Sequence, residues 1–283
     1  MNVSQTVESV RNYVRNAANR SMRIGLVPTM GALHIGHISL IKAARQKCDY
    51  VVVSIFVNPT QFGPSEDFDK YPRPLEEDLK ICEKEGVDLV FNPTTREMYP
   101  EKSFTWVNVE KLTDNLCGRF RPGHFRGVTT VCAKLFNVVT PDIAFFGQKD
   151  AQQSVVIKRM VADLNMPLEI AVCPTVREQD GLAVSSRNKY LSTKDREDAA
   201  YIYKSLKKCI EMVDSDCRKT ETIIAVMRNI LEQKTSIKIE YISIVDEKTL
   251  ENIEFIKDKA LAAIAVRIGG TRLIDNIPID ISE

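Results

Sequence analysis

Short apolar runs alternate with helical repeats through the first part of the chain. Val3, Val7, Val10 and Val14 recur at helical spacing and predict an amphipathic helix over 3–20. Near-continuous apolar runs, typical of buried parallel strands, follow this helix. We expect strands at 24–27, 50–57, 87–91, 142–146 and 168–173, separated by helices near 34–47 and 74–86, over 128–139, and up to about 165. This order predicts an α/β fold with a Rossmann-like, doubly wound parallel sheet.

The remainder of the chain has a different pattern. Long charged helices are expected at 193–213 and 219–234. Shorter strands are expected near 240–245, 262–267 and 272–275. The change of pattern predicts a domain boundary near Thr175, which separates a larger domain over 1–175 from a smaller α+β domain over 176–283.

The segment from Ile24 to Ile41 has the greatest concentration of candidate functional groups. Its strand stops at Pro28, and a helical pattern opens near Leu33. His34 and His37 are three residues apart, so their rings should lie roughly 5–6 Å apart on one helix face. Free N–H groups and the helix dipole, together with two imidazoles that donate hydrogen bonds or carry positive charge, suit a polyphosphate. Two of only three histidines in one turn favour a functional interpretation over surface decoration.

Two later strand ends carry further candidates. The loop over 58–72 follows the second strand, where open α/β sheets bind ligands, so Asn58, Gln61 and Phe62 are candidate contacts. An ordinary surface loop fits this segment equally well. After the strand at 142–146, Lys149 would place a compact positive charge near a second helix start.

The residues that follow Lys149 extend this pattern. Gln153 comes close to one helical turn after Asp150 and would face the same crevice. Ser185, Ser186 and Arg187 lie on a glycine-started loop that could wrap phosphate groups. The alternative is a pair of helix-capping serines.

Two charged clusters have more than one interpretation. Glu76, Glu77 and Asp78 follow Pro74 in a first helical turn, where acids complement the helix dipole; a magnesium site is the less favoured alternative. The segment Arg119–Gly127 places three arginines and the third histidine among glycines. It could bind an anion, or it could anchor a loop or a subunit contact.

Composition narrows the class of protein. The 39 basic and 38 acidic residues give a net charge of +1, which offers no general field for nucleic acid or a membrane surface. The chain lacks a 20-residue apolar stretch and an N-terminal signal-peptide pattern. Its seven cysteines are scattered and odd in number, so we expect reduced thiols and a cytoplasmic location.

With these motifs in view, the chain resembles the pantothenate synthetases, the pantoate–β-alanine ligases of coenzyme A biosynthesis. They belong to a nucleotidyl-transferase superfamily with a His-Ile-Gly-His-type motif. Five segments in order carry the resemblance: PTMGALHIGH, SIFVNPTQF, RPGHFRGV, FFGQKDAQQ and DGLAVSSRN. It implies that ATP, (R)-pantoate and β-alanine are converted through pantoyl adenylate into pantothenate, AMP and pyrophosphate. It also implies Mg²⁺ with ATP, and a homodimer.

The resemblance implies roles for particular residues. His34, His37 and Lys149 would be catalytic, and His37 could also donate a proton. Gln61 and Gln153 would hold pantoate, with Gln61 near β-alanine as well. The ATP-binding residues would be Met30, Gly31, Ala32, Leu33, His34, Ile35, Gly36, His37, Gly147, Gln148, Lys149, Asp150, Val176, Val184, Ser185, Ser186 and Arg187.

Some points of the resemblance are less direct. Family members often have Glu at the position of Gln148, which puts the role of that side chain in doubt. The match does not identify magnesium ligands, and Glu77 and Asp78 stay candidates. Within the implied organisation, residues 1–175 bind nucleotide and pantoate. The loop over 58–72 and the domain over 176–283 are the expected lids.

Two alternatives to this ligase differ in class. Another adenylyl- or cytidylyl-transferase would share the corner over 24–41 but not the glutamines that would hold pantoate. An RNA-binding protein with a synthetase-like fold is disfavoured by the balanced charge and by the lack of an aromatic and basic stripe.

Overall fold

A parallel sheet forms the first half of the structure, a computed structural model that describes residues 1–64 and 66–282. The strands are β1 (Asn2–Ser4), β2 (Ile24–Thr29), β3 (Tyr50–Ile55), β4 (Leu89–Phe91), β5 (Ile143–Gly147) and β6 (Glu169–Cys173). Their order across the sheet is β1-β4-β3-β2-β5-β6, and the paired strands are all parallel. The predicted α/β class is confirmed.

Helices connect these strands, and two more follow β6. They are α1 (Val7–Asn19), α2 (Ile35–Lys47), α3 (Leu75–Lys84), α4 (Thr95–Met98), α5 (Cys117–Phe120), α6 (His124–Val139), α7 (Ala151–Asp163), α8 (Thr193–Asp214) and α9 (Thr220–Glu232). The antiparallel strands β7 (Ile237–Asp246), β8 (Lys259–Ile268) and β9 (Thr271–Asp280) complete the chain. Over the described ranges, no helix is both long enough and apolar enough to cross a bilayer.

Successive strand residues point to opposite faces of the parallel sheet, and each face has its own core. Leu26 of β2 packs in the cluster that includes α1, α6 and α7, whereas Val27 packs with α2 and α3. Phe145 and Phe146 divide in the same way. Helices therefore cover both faces, which explains why the strands read as near-continuous apolar runs.

The N-terminal prediction was wrong at its first turn. Asn2–Ser4 pair with β4 instead of continuing a helix, because Val3 extends the sheet edge beside Val90. The helix starts only at Val7, where the Thr6 side chain accepts a hydrogen bond from Ser9 N–H at 3.3 Å and caps it.

Other boundaries shifted for local reasons. Strand β3, which was expected over 50–57, ends at Ile55, before the 3₁₀ turn Pro59–Gln61. Helix α6 starts at His124 rather than at 128, because Gly123 adopts φ +80° and turns the chain into the helix. The C-terminal strands are longer than expected, and the domain boundary near Thr175 stays a prediction.

The strand order places one crevice at the edge where the parallel strands end. The chain leaves β2 for β3 on one side of the sheet and later returns to the other side with β5 and β6. Ligands of open α/β sheets bind outside the carboxyl ends of the strands at such a reversal. The loops that follow β2 and β5 carry His34 and Lys149.

A buried ion pair holds the segment after β6 against the C-terminal sheet. Arg177 Nη1 donates to Asp275 Oδ2 at 2.6 Å and Arg177 Nη2 to Asp275 Oδ1 at 3.0 Å. The guanidinium also lies over the ring of Tyr203, 4.1 Å from its centroid. The Asp275 side chain is only 1% exposed, so its charge depends on this partner.

We predict that Asp275→Ala lowers the free energy of unfolding by about 3–5 kcal/mol, because it leaves the Arg177 charge without its buried partner. Chemical denaturation measures this loss. The exposed pair Arg159–Asp163 supplies the control, and Asp163→Ala should cost less than about 0.5 kcal/mol. Equal effects of the two variants would contradict the role given to Asp275.

Candidate active site

Two histidines at the start of α2 bond to the backbone around them. Gly36 N–H donates to His34 Nδ1, and His34 N–H donates to His37 Nδ1, both at 3.2 Å. Because each Nδ1 accepts a hydrogen bond, the hydrogen of each neutral ring is on Nε2. A Cβ at Gly36 would lie 3.0 Å from the His34 ring, so this fold of the ring over the backbone favours glycine. The ring centroids are 4.1 Å apart, closer than expected.

The electrostatics of this pair favour one of the two expected roles. Burial lowers the pKa of His34 to about 4, and nearby Lys149 adds to the effect. Burial, followed by His34 and Lys149, lowers the pKa of His37 to about 3. Both rings are neutral at pH 7, which favours hydrogen-bond donation over positive charge, and the backbone N–H groups of His34 and Gly36 are already used. The histidines instead offer two Nε2–H donors.

A carboxylate from α3 holds the turn before the histidines. Asp78 accepts hydrogen bonds from Ala32 N–H at 2.8 Å and Leu33 N–H at 2.7 Å. Ala32 has φ +51° and Gly31 has φ +83°, a conformation that needs such external support. Asp78 is 1% exposed, and its burial raises its pKa. The acidic turn was assigned to helix-dipole stabilisation, but Asp78 fixes the nucleotide-type corner.

Most predicted site residues converge on two adjoining cavities between the strand ends and the loop after β6. The larger has a volume of about 220 Å³ and includes Met30, Gln61 and Phe62 in its lining. The smaller, of about 120 Å³, includes Gly36, Gly147 and Val176. The other predicted residues that line one or both are His34, His37, Lys149, Asp150, Gln153, Val184, Ser185, Ser186 and Arg187.

Five predicted ATP-binding residues lie outside the lining of these two cavities. Gly31, Ala32 and Leu33 shape the corner through their backbone, and Ile35 is 58% exposed. Gln148 Nε2 donates to Asn276 Oδ1 at 3.0 Å, which directs the side chain toward β9. Gln148, the position where family members often have Glu, thus lies at a contact between the two sheets.

A short network orients the side-chain amide of Gln61. Asn58 Nδ2 donates to Gln61 Oε1 at 3.1 Å, and Tyr99 OH donates to Asn58 Oδ1 at 3.0 Å. With its oxygen engaged, Gln61 directs its NH₂ group toward Met30, with Nε2 2.9 Å from Sδ. The amide therefore presents a donor at the cavity wall.

Asp67 and Tyr71, from a loop expected to act as a lid, contact the segment that carries Ser186 and Arg187, and the sequence did not identify these partners. Asp67 holds Arg187 in a two-point contact, with Nε–Oδ2 at 3.0 Å and Nη2–Oδ1 at 2.9 Å. Tyr71 OH lies 3.4 Å from Ser186 Oγ. The acidic residues of this loop were the only sign of these contacts in the sequence, and their spacing did not identify the partners.

The cleft has one exposed carboxylate close to its lysine. Asp150 Oδ1 lies 3.9 Å from Lys149 Nζ, and its side chain is 47% exposed. Both oxygens of Asp78, a candidate magnesium ligand, accept backbone hydrogen bonds. Across residues 1–64 and 66–282, there is no group of three or more His, Cys, Asp or Glu side chains that could hold a metal ion.

The fold and this crevice define a parallel α/β enzyme with a nucleotide-type site at the switch point of its sheet. The model of the pantoate-beta-alanine ligase family matches residues 2–278. The chain belongs to this family of ligases.

Relatives and solved structures match this chain over nearly its whole length. Pantothenate synthetase of Thermoanaerobacter pseudethanolicus is 56% identical, with 98% of each chain covered. That of Acetivibrio thermocellus is 53% identical, with 99% of this chain and 100% of the relative covered. The crystal structure of the Thermus thermophilus pantothenate synthetase has a TM-score of 0.93 at 43% identity and covers 98% of this chain and 99% of its own.

A further relative has been solved with ligands bound. The pantoate-beta-alanine ligase of Francisella tularensis, complexed with beta-gamma ATP and beta-alanine, has a TM-score of 0.80 at 36% identity. The match covers 98% of this chain and 97% of that one.

We predict that protonation of the histidine pair destabilises the fold. Unfolded histidine binds a proton near pH 6.5, whereas folded His34 and His37 bind one only near pH 4 and 3. Their contribution is fully present above about pH 6.5, and it is lost as pH falls from there through about 4 for His34 and about 3 for His37.

Chemical denaturation at a series of pH values checks this prediction. The double variant His34→Gln/His37→Gln keeps every carboxylate, so the difference between its pH profile and that of the wild type isolates the pair. We expect the variant to lose less stability on acidification. Parallel profiles would contradict the neutral state assigned to the two rings.

Proposed function

We propose that this chain condenses pantoate with β-alanine at the cost of ATP, through pantoyl adenylate. The observation that best supports this proposal is that groups suited to phosphate and groups suited to an organic acid line the same cavity. Lys149 and the two histidines suit phosphate oxygens, while Gln61 and Gln153 suit a polar organic acid. Family membership and the ligands of the Francisella tularensis relative point to the same substrates.

The first step joins pantoate to the nucleotide. A pantoate carboxylate oxygen attacks the α-phosphorus of ATP, and the bond from that phosphorus to the bridging oxygen breaks to release pyrophosphate. Negative charge moves onto the bridging and non-bridging oxygens. The Nε2–H donors of His34 and His37 and the ammonium of Lys149 are fixed before reaction, so they stabilise this charge without reorganisation.

The remaining predicted contacts place the substrates for that step. The backbone at Val176 lies in the smaller cavity, where it would meet adenine. Ser185, Ser186 and Arg187 would bind phosphate oxygens, and the amides of Gln61 and Gln153 would hold pantoate. Such positioning converts a meeting of two substrates into a reaction within one complex.

The second step forms the amide bond. The neutral amine of β-alanine attacks the acyl carbon, AMP leaves with the bonding electron pair, and the nitrogen loses a proton. Gln61 borders the site expected for β-alanine. Asp67 contacts Arg187 and Tyr71 lies near Ser186, both at the cavity wall, and a cover formed by these two segments would limit hydrolysis of the adenylate by water.

Magnesium belongs to this proposal as a companion of ATP. Mg²⁺ in nucleotide sites takes most of its ligands from phosphate oxygens and water, with one or two carboxylates. The single cleft carboxylate of Asp150 fits that mode and would supply a protein ligand. The ion would neutralise phosphate charge.

A homodimer and a cytoplasmic location complete the proposal. Phe104 is 86% exposed and Trp106 is 38% exposed on one irregular segment, and exposed aromatic groups of this kind are typical of protein interfaces. The cysteines are free thiols, consistent with a reducing compartment.

Pyrophosphate release from Mg-ATP tests the proposal directly. Pantoate alone should give a burst of pyrophosphate, and added β-alanine should convert it to steady formation of AMP and pantothenate. No pyrophosphate with pantoate, from folded protein that binds ATP, would overturn the substrate assignment.

We predict that His37→Ala and Lys149→Ala each lower the rate of adenylate formation by about 10²-fold or more, the range for loss of a donor to transition-state charge. Single-turnover pyrophosphate release measures this step apart from amide formation. Circular dichroism should show folded protein in both cases. Near-wild-type turnover by either variant would remove that residue from the mechanism.

A further inference from the structure

The segment Arg119–Gly127 contains the third histidine, and two of its side chains converge on the turn that carries Gln61. His124 Nδ1 lies 2.8 Å from the backbone oxygen of Gln61. Arg121 Nη1 lies 2.9 Å from His124 Nε2 on the other side of the ring. The histidine thus lies between Arg121 Nη1 and the residue expected to hold pantoate, whose backbone oxygen also accepts a longer hydrogen bond from Arg121 Nη2 at 3.4 Å.

These two contacts determine which ring nitrogen carries the hydrogen. A guanidinium only donates, so His124 Nε2 must accept from Arg121. The neutral ring then has its hydrogen on Nδ1, where it donates to the Gln61 carbonyl. This is the opposite tautomer from the one at His34 and His37.

A carboxylate holds the arginine in turn. Arg121 Nε donates to Glu66 Oε1 at 2.7 Å, and Arg121 Nη2 donates to Glu66 Oε2 at 2.6 Å. Such two-point contacts fix the plane of a guanidinium. The series Glu66–Arg121–His124–Gln61 therefore runs from the loop over the cavity to its wall.

The segment Arg119–Gly127 also brings helix α6 close enough for His124 to reach Gln61. A Cβ built at Gly127 would overlap Thr60 O and would lie 2.7 Å from Gln61 Cα. The Gly127 carbonyl accepts from Asn58 Nδ2 at 3.2 Å. Helix α6 thus packs directly on the Pro59–Gln61 turn, and glycine is needed for that approach.

We propose that His124, in the Nδ1–H tautomer imposed by Arg121, is a positioning residue that fixes Gln61 from its backbone while Asn58 fixes its amide. The inference rests on the proposed function, because it concerns the residue that would hold pantoate. It predicts that loss of the His124 donor affects pantoate more than ATP.

The tautomer provides a test that needs no substrate. With only three histidines, ¹⁵N-histidine labelling gives three imidazoles, and His124→Asn identifies one by its disappearance. We expect Nδ1–H for His124 and Nε2–H for the other two. Arg121→Met should let the Nε2–H form of His124 appear, whereas Arg119→Met, on an exposed side chain of the same segment, should not. An Nε2–H ring at His124 in the wild type would overturn the proposal.

Kinetics test the consequence for Gln61. Asn can place an N–H near the position of His Nδ1, whereas Leu has a similar size and no donor. His124→Leu should raise the KM for pantoate about 10-fold, the effect of one lost orienting hydrogen bond, with the KM for ATP changed less than about 2-fold. His124→Asn should recover most of this loss. Equal effects of Leu and Asn, or an equal rise in both KM values, would overturn the positioning role.

The design separates this inference from the proposed function. If the wild-type protein does not react with pantoate, the proposed substrate is wrong. The tautomers and the ¹⁵N side-chain amide signal of Gln61 still report on the contact between His124 and Gln61. That signal should shift in His124→Leu and return toward the wild-type position in His124→Asn. An unchanged Gln61 signal in both variants would overturn the inference by itself.

Discussion

The site depends on β2 and β5 being neighbours in the parallel sheet. Their adjacency places the ends of two chain segments more than a hundred residues apart at one crevice. The loop after β2 contributes the histidine pair, and the turn after β5 contributes Lys149. Asp78 stabilises the first loop by accepting two N–H groups, while Asn276 fixes the second by donating to the carbonyls of Gln148 and Lys149. Both halves of the site are therefore held through their backbones, which leaves the side chains available for a ligand.

Positive charge and hydrogen-bond donation come from different residues in this crevice. The histidines are neutral because they are buried beside one another and near a lysine. The cationic side chains of Lys149, Arg187 and Arg121 line the cavity. A triphosphate would meet neutral donors at the helix start and cationic side chains around it. This division suits a reaction in which charge moves between oxygens, since neutral donors lose little solvation when the site closes.

Much of the fold and of the site was readable from sequence because both follow local rules. Buried parallel strands gave continuous apolar runs, and glycine with polar residues after β2 and β5 marked the crevice. The roles of Asp78 and His124 were not readable, because each acts on backbone atoms of a distant segment. Asp78 looked like a dipole-matching acid, and its true partners lie 45 and 46 positions away in sequence. The edge strand at Asn2–Ser4 was missed for a similar reason, since three residues carry almost no periodic signal.

The loop over 58–72 links the two substrate regions more directly than its sequence suggested. Glu66 pairs with Arg121, which acts on Gln61, and Asp67 pairs with Arg187 at the phosphate side. The Asp67 contact uses the Nε and Nη2 edge of Arg187, so a phosphate group would take the other edge or displace the carboxylate. Neighbouring residues of one loop thus contact an arginine beside Gln61, on the side proposed for pantoate, and another beside Ser186, on the side proposed for the nucleotide. Movement of this loop would alter both contacts together, which is the physical requirement for a cover that responds to the occupancy of the whole site.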